Sequence, residues 1–152
     1  MSVEVGTRAP DFELRDQHGQ HVRLSDFRGE KNVVIVFYPF AFSRVCTSEM
    51  CALRDDIAAF QNEDVQVLAV SVDSVFTLRA WAEHEGLTFP LLADFWPHGK
   101  VAGDYGVFDE QRGCAIRGTF VVDTEGVLRW KVVNAIPDGR DQAEYLKVLA
   151  AL

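Results

Sequence analysis

At 152 residues, with no Gly/Ser/Pro-rich linker, low-complexity tract or internal repeat, the chain has room for one domain and no second. A domain of this size buries about 68–70% of the surface its unfolded form exposes. Its hydrophobic content of 48% and charged content of 25% are those of a globular protein, and a formal charge of −8 opposes nucleic acid or an anionic membrane as a main partner, since both are held by basic patches.

In chain order, Phe12-Glu-Leu14 and Val22-Arg-Leu24 alternate around Gln17-His-Gly-Gln20 and predict a short hairpin. Val33 to Tyr38 are all β-branched or aromatic, which reads as a strand covered on both faces, and Pro39 ends it. Met50, Leu53, Ile57 and Phe60 then recur at spacings of three and four, so a helix of about four turns begins near Ser43 to Thr47, with Cys46 on its apolar stripe. Val65 to Val72 is a second buried strand, and Ser74 is placed to cap a helix with Val75, Leu78, Trp81 and Ala82 on one face. Pro90 to Ala93 opens another strand and Lys100 to Tyr105 a short helix. Thr119–Val122 and Val127–Val133 form an antiparallel pair around Asp123-Thr-Glu-Gly126. The last helix runs from about Asp141, with Leu146, Leu149 and Ala150 inward. Strand–helix alternation followed by a hairpin and a terminal helix gives an α/β sandwich whose central sheet is mixed and flanked by helices.

The most informative stretch delivers Cys46 from a buried strand onto the first turn of a helix, over unpaired backbone N–H groups that favour an anion. An ordinary thiol, with a pKa of about 8.5, is only about 3% ionised at pH 7, and reaching about 90% takes roughly 3.4 kcal/mol. A helix terminus supplies about 0.3–1 kcal/mol, up to about 2 in a partly buried setting, so a second positive group has to come from elsewhere.

Pro39-x-x-x-Ser43-x-x-Cys46 resembles the active-site signature of the peroxiredoxins, thiol peroxidases on a thioredoxin-like fold. Gly6-Thr-Arg-Ala-Pro-Asp-Phe-Glu-Leu14, Phe89-Pro-Leu-Leu-Ala-Asp94 and Arg117-Gly-Thr-Phe-Val-Val-Asp123 resemble further stretches of that family, so the likeness covers nearly the whole chain. Asp94-Phe-Trp-Pro-His-Gly99 and Tyr105-Gly-Val-Phe108 look most like the alkyl hydroperoxide reductase E subgroup.

The resemblance implies a thioredoxin-like sandwich in which Cys46 attacks a hydroperoxide, becomes a sulfenic acid and meets Arg117 at one end of the sheet. It assigns Ser43 to hydrogen-bonding the thiolate and orienting the peroxide; a Ser three residues before Cys46 also reads as an ordinary N-cap, and both roles can hold at once. Pro39 shields the sulfur, and Glu49, one turn after Cys46, is a partner for Arg117 or simply a solvated helix residue.

Cys51 follows Cys46 at the spacing of those peroxiredoxins whose resolving cysteine shares the helix, the bacterioferritin comigratory protein and peroxiredoxin Q group, so the resemblance implies that the sulfenic acid is resolved by Cys51 or, as in subgroup members with a single cysteine, by an external thiol. An intact helix sets the two about 140° apart, too far for a disulfide without local unwinding. Cys114 fits neither role and reads as a buried or edge-strand thiol.

The implied partners are a hydroperoxide and a reducing thiol or a thioredoxin- or mycoredoxin-like protein, with a homodimer plausible from the family. No metal or cofactor is expected, because His18, His21, His84 and His98 lack ligand spacing and no Walker or dinucleotide glycine pattern occurs. Met1-Ser-Val-Glu-Val lacks a leader pattern, and the longest apolar run, Val33 to Phe42, is interrupted by Pro39, so a cytoplasmic protein with reduced thiols is expected. Two other readings remain open. One is a thiol–disulfide oxidoreductase, opposed by the missing Cys-x-x-Cys, and the other is a noncatalytic redox sensor using the Cys46 and Cys51 pair.

Overall fold

The computed structural model describes residues 3–138 and 140–152; Met1 and Ser2, which head the segment read as lacking a leader, and Gly139 lie outside the described residues. The strands are β1 (Glu13–Arg15), β2 (His21–Arg23), β3 (Asn32–Phe37), β4 (Val65–Ser71), β5 (Leu91–Ala93), β6 (Phe108–Asp109), β7 (Cys114–Ala115), β8 (Arg117–Val122) and β9 (Leu128–Asn134). The helices are α1 (Arg44–Asp55), α2 (Ile57–Phe60), α3 (Val75–Glu85), α4 (Lys100–Asp104) and α5 (Gln142–Ala150).

Seven strands form one sheet in the order β2-β1-β5-β4-β3-β8-β9, and β6 and β7 make a separate ribbon. β3, β4 and β5 run parallel, while β8 pairs antiparallel with β3 and β1 antiparallel with β5, so the sheet is mixed. The continuous apolar runs at 33–38 and 65–72 become its centre because both faces are covered. Val34, Val36, Val67 and Ala69 face α1, α2, α3 and α5, where Met50, Leu53, Phe60, Leu78, Trp81 and Tyr145 are buried. Val33, Ile35, Phe37, Leu68 and Val70 face the other layer, closed by Val101 and Tyr105 around α4 and by Phe12 and Leu24 near the N-terminal hairpin.

Several expectations change in detail. The four-turn helix is divided at Asp56, whose φ of −123° and ψ of 32° leave the helical region before α2 begins. Asp55 and Asp56 sit at the negative end of the α1 dipole, which disfavours continuing the helix through them. Leu24 begins a 3-10 turn, Leu24–Phe27, instead of ending β2. In α5 the fully buried residue is Tyr145; Leu146 and Leu149 pack partly, and Ala150 is exposed. The β6–β7 ribbon was not predicted, since two-residue strands carry too few positions for an alternation to register.

Candidate active site

The loop after β3 sets the direction in which α1 begins. Pro39 is buried beside the end of the strand, and Asp73, just beyond β4, accepts hydrogen bonds from the Ala41 N–H at 2.8 Å and the Ser71 hydroxyl at 2.7 Å, tying the loop to the neighbouring strand. Phe42 takes a left-handed φ of 69°, which an aromatic residue adopts at a cost of about 1–2 kcal/mol, and the chain then enters α1. Cys46 lies in the first turn, fully buried, with Met50 one turn further on the same stripe.

Ser43 is the N-cap residue of α1 by its extended backbone, yet its side chain makes no capping bond. Its hydroxyl donates to the Phe40 carbonyl at 2.9 Å. Ser43 thus holds the N-cap position by its backbone, while its hydroxyl bonds neither the Cys46 sulfur nor the helix N–H groups and is turned to the Phe40 carbonyl instead. With no side chain over it, the N-terminal end of α1 keeps its unpaired N–H groups available to an anion.

Arg117, expected just before a strand, is its first residue, and its side chain is only 2% exposed. One edge of its guanidinium meets the sulfur: Nη1 donates to Cys46 Sγ at 3.3 Å. Nη1 also pairs with Glu49, and Nε donates to the Ile136 carbonyl. The predicted meeting of Cys46 and Arg117 is thus observed, and Glu49 is a buried partner of the arginine, not a solvated helix residue.

The sequence reading missed Arg140. Its guanidinium grips Glu49 with Nε to Oε2 at 2.8 Å and Nη2 to Oε1 at 3.0 Å, and its backbone N–H donates to the same Oε2 at 2.8 Å. Nη1 reaches the Gly118 carbonyl at 3.1 Å and Thr119 Oγ1 at 3.2 Å, and that hydroxyl also meets Tyr145. Nothing local marks Arg140 in the sequence, since it lies 91 residues from its carboxylate. Burial alone raises the Glu49 pKa, but the Arg140 hydrogen bond and the charges of Arg140 and Arg117 outweigh it and hold the carboxyl below its usual range. Burial pushes the Tyr145 hydroxyl up to about 12, so it stays protonated in this network.

Two guanidiniums against one carboxylate leave one net positive charge, and Arg117 carries it to the sulfur. Buried ion pairs of this kind contribute little net stability relative to apolar packing. Their value here is to keep a cation fixed beside a thiol.

An open depression of about 260 Å³ adjoins the site, with Pro39, Phe40, Ser43, Arg112, Cys114 and Arg117 in its wall. Cys114 is buried in β7, as read from the sequence, and burial pushes its thiol pKa up. Cys51 lies elsewhere. Its Sγ donates to Glu85 Oε2 at 3.4 Å, on the side of α1 that faces α3, and α1 is unbroken from Cys46 to Cys51. Among the described residues, no group of three or more His, Cys, Asp or Glu side chains is arranged to hold a metal, and no helix is long and apolar enough to cross a membrane.

Residues 5–131 match the model of the AhpC/TSA family. Alkyl hydroperoxide reductase E of Mycobacterium tuberculosis is 50% identical over 150 residues, covering 99% of this chain and 98% of that protein. Peroxiredoxin-2 of Bos taurus is 43% identical, covering 98% of this chain and 78% of that protein. Among solved structures, Enterococcus faecalis AhpC superposes with a TM-score of 0.88 at 33% identity, covering 99% of this chain and 92% of that one. The peroxidoxin BcpB of Mycobacterium tuberculosis superposes at 0.87 with 32% identity, covering 99% and 98%. With a cation set against a buried helix-start cysteine and likeness along its whole length, the chain belongs to the AhpC/TSA family, as a peroxiredoxin of the alkyl hydroperoxide reductase E kind.

Proposed function

We propose that Cys46 carries out the hydroperoxide reduction of this thiol-dependent peroxidase. The single observation that carries the assignment is the 3.3 Å approach of Arg117 Nη1 to Cys46 Sγ, backed by a network with one positive charge in excess. The Cys46 thiolate attacks the terminal oxygen of the hydroperoxide, forming an S–O bond as the O–O bond breaks. The departing oxygen leaves as water or an alcohol after taking a proton, and Cys46 is left as a sulfenic acid.

Charge develops on both oxygens during that step. Arg117 and the N-terminal N–H groups of α1 are the donors placed to meet it. Ser43 joins them by turning its hydroxyl from the Phe40 carbonyl toward the peroxide, and Pro39 keeps water from the sulfur. Glu49 and Arg140 hold Arg117 in position. A thiol completes the cycle: Cys51 condenses with the sulfenic acid after local opening of α1, and a small thiol or a thioredoxin- or mycoredoxin-like protein then reduces the disulfide.

A reducing cytoplasm suits a chain whose three cysteines are all free. A second copy of the chain is the proposed partner of an exposed aromatic surface around Phe76 and Trp96.

Intact mass spectrometry of the reduced protein after one equivalent of hydrogen peroxide, with a sulfenic-acid trap, tests the assignment. Cys46→Ser is expected to abolish fast oxidation, and Cys51→Ser to leave a trappable sulfenic acid where the parent protein loses two hydrogens. Fast oxidation that persists in Cys46→Ser overturns the assignment. Repeated turnover with a thiol reductant separates a peroxidase from a sensor that oxidises once.

A further inference from the structure

Cys51 is held away from the site by contacts that do not belong to the peroxide-reacting apparatus. Its Sγ donates to Glu85 Oε2 at 3.4 Å. Glu85, the last residue of α3, is fixed from several sides: its backbone carbonyl accepts from Arg54 Nη1 at 2.6 Å, and its other carboxylate oxygen meets His84 Nδ1 at 3.1 Å. Arg54 lies one turn beyond Cys51 on α1 and also pairs with Asp55. The groups facing the Cys51 thiol are thus Glu85 from α3 and Arg54 and Asp55 from its own helix, with His84 beyond the carboxylate. An acceptor-only carboxylate requires the thiol to keep its proton. A thiolate, the form that attacks a sulfenic acid, faces a like charge in the same place.

We propose that Glu85 latches Cys51, holding it protonated and turned away from Cys46, and that release of this contact limits how fast the second half of the cycle proceeds. Glu85 is a positioning residue. The inference rests on Cys51 being the thiol that closes the disulfide. In that step Cys51 loses its proton and its sulfur attacks the Cys46 sulfenic sulfur. The S–S bond forms, the S–O bond breaks, and hydroxide leaves as water with the released proton, so no oxidant beyond the original hydroperoxide is needed. Burial, followed by the Glu85 hydrogen bond, pushes the Cys51 thiol pKa up, in keeping with a resting latch.

The intact helix sets the two thiols apart, and the latch opposes the unwinding that would bring them together. The Cys51–Glu85 contact joins the middle of α1 to the end of α3, so α1 cannot unwind around Cys51 without breaking it. Arg54, by gripping the Glu85 backbone from the same helix, keeps the carboxylate over the sulfur.

Two measurements on full-length protein test it. The first is the pH dependence of iodoacetamide alkylation at Cys51 in the Cys46→Ser background, followed on the peptide that carries Cys51. Glu85→Gln removes the charge and keeps the shape, and is expected to move the midpoint to lower pH and raise alkylation near neutral pH by about five- to tenfold, the gap between charged and neutral hydrogen bonds. Glu85→Asp should keep much of the parent profile. An unchanged midpoint in Glu85→Gln overturns the latch whatever Cys46 does.

The second is the rate of Cys46–Cys51 disulfide formation after one equivalent of hydrogen peroxide. Faster closure in Glu85→Gln, with the same rate of Cys46 oxidation, supports the latch as the limiting contact, and equal closure rates overturn it. A shifted alkylation midpoint with no disulfide in either protein overturns the resolving role of Cys51 and the limiting role of the latch together, while identifying the resolving assignment as the part that failed.

Discussion

Arg117, Glu49 and Arg140 form one charge unit, and replacing each member tests a different aspect of it. Arg117→Ala leaves Glu49 paired with Arg140 and removes the cation beside Cys46. Peroxide consumption is expected to slow by about 10²–10³, the usual cost of losing a donor aimed at developing charge. Stopped-flow tryptophan fluorescence can follow this, because Trp81 stands over the N-terminal part of α1 and its indole N–H meets Thr47 at 3.3 Å. A rate equal to the parent's removes Arg117 from the mechanism. Glu49→Gln has the opposite character: two buried guanidiniums lose the carboxylate they share, and stability should fall by about 3–5 kcal/mol in a urea titration. A loss below 1 kcal/mol would mean water already reaches the pair. The sign of the pH effect follows from the lowered folded-state pKa of Glu49. Its contribution is complete above the ordinary carboxylate range and is lost as pH falls through the depressed value, so the parent protein should lose more stability on acidification than Glu49→Gln does.

α1 and α3 have the same residue type at the N-cap position and use it differently. Ser74 accepts a hydrogen bond from the Thr77 N–H at 3.2 Å, whereas Ser43 gives its hydroxyl to Phe40 and leaves the end of α1 without a side-chain cap. Ser74→Ala is expected to cost about 1 kcal/mol of stability, and Ser43→Ala less than about 0.5. Ser43→Ala should nevertheless slow peroxide reduction, so equal destabilisation by both substitutions with full activity would return Ser43 to an ordinary cap. This contrast also marks the limit of what the sequence could reveal. The strand at 33–38, the helix start at Cys46, the cap at Ser74 and the start of the last helix near Asp141 were legible because periodicity and local chemistry agree over several residues. The break at Asp56, the two-residue ribbon and the contacts of Asp73 and Arg140 were not, because each is decided by a partner distant in the chain or an element too short for a period. Gly118 lies between the two cases. It appeared in the Arg117-Gly-Thr stretch, but its reason is tertiary: a Cβ there would stand 2.8 Å from Val107 Cγ1, displacing β8 beside Arg117.

At the level of the whole molecule, the least explained surface is the one that holds no catalytic group. Phe76 is 79% exposed and Trp96 82%, and with Phe95 they border a depression of about 530 Å³ between β1, β5 and the start of α3. Large aromatics left in water at this density suit the docking of the second copy proposed above. The same wall carries Glu13 beside Arg15 and Arg79, charges of both signs. A two-fold pairing can therefore set the carboxylate of one copy against a guanidinium of the other while the aromatic rings meet, which is the complementarity a self-associating surface requires. The parent protein is accordingly expected to sediment as a dimer at micromolar concentration. Trp96→Asp should shift it to a monomer with an unchanged circular dichroism spectrum, since an exposed side chain contributes little to the fold. A parent protein that stays monomeric across the concentration range rules out a second copy as the occupant, and a dimer indifferent to both Trp96→Asp and Phe76→Asp places the interface on another face.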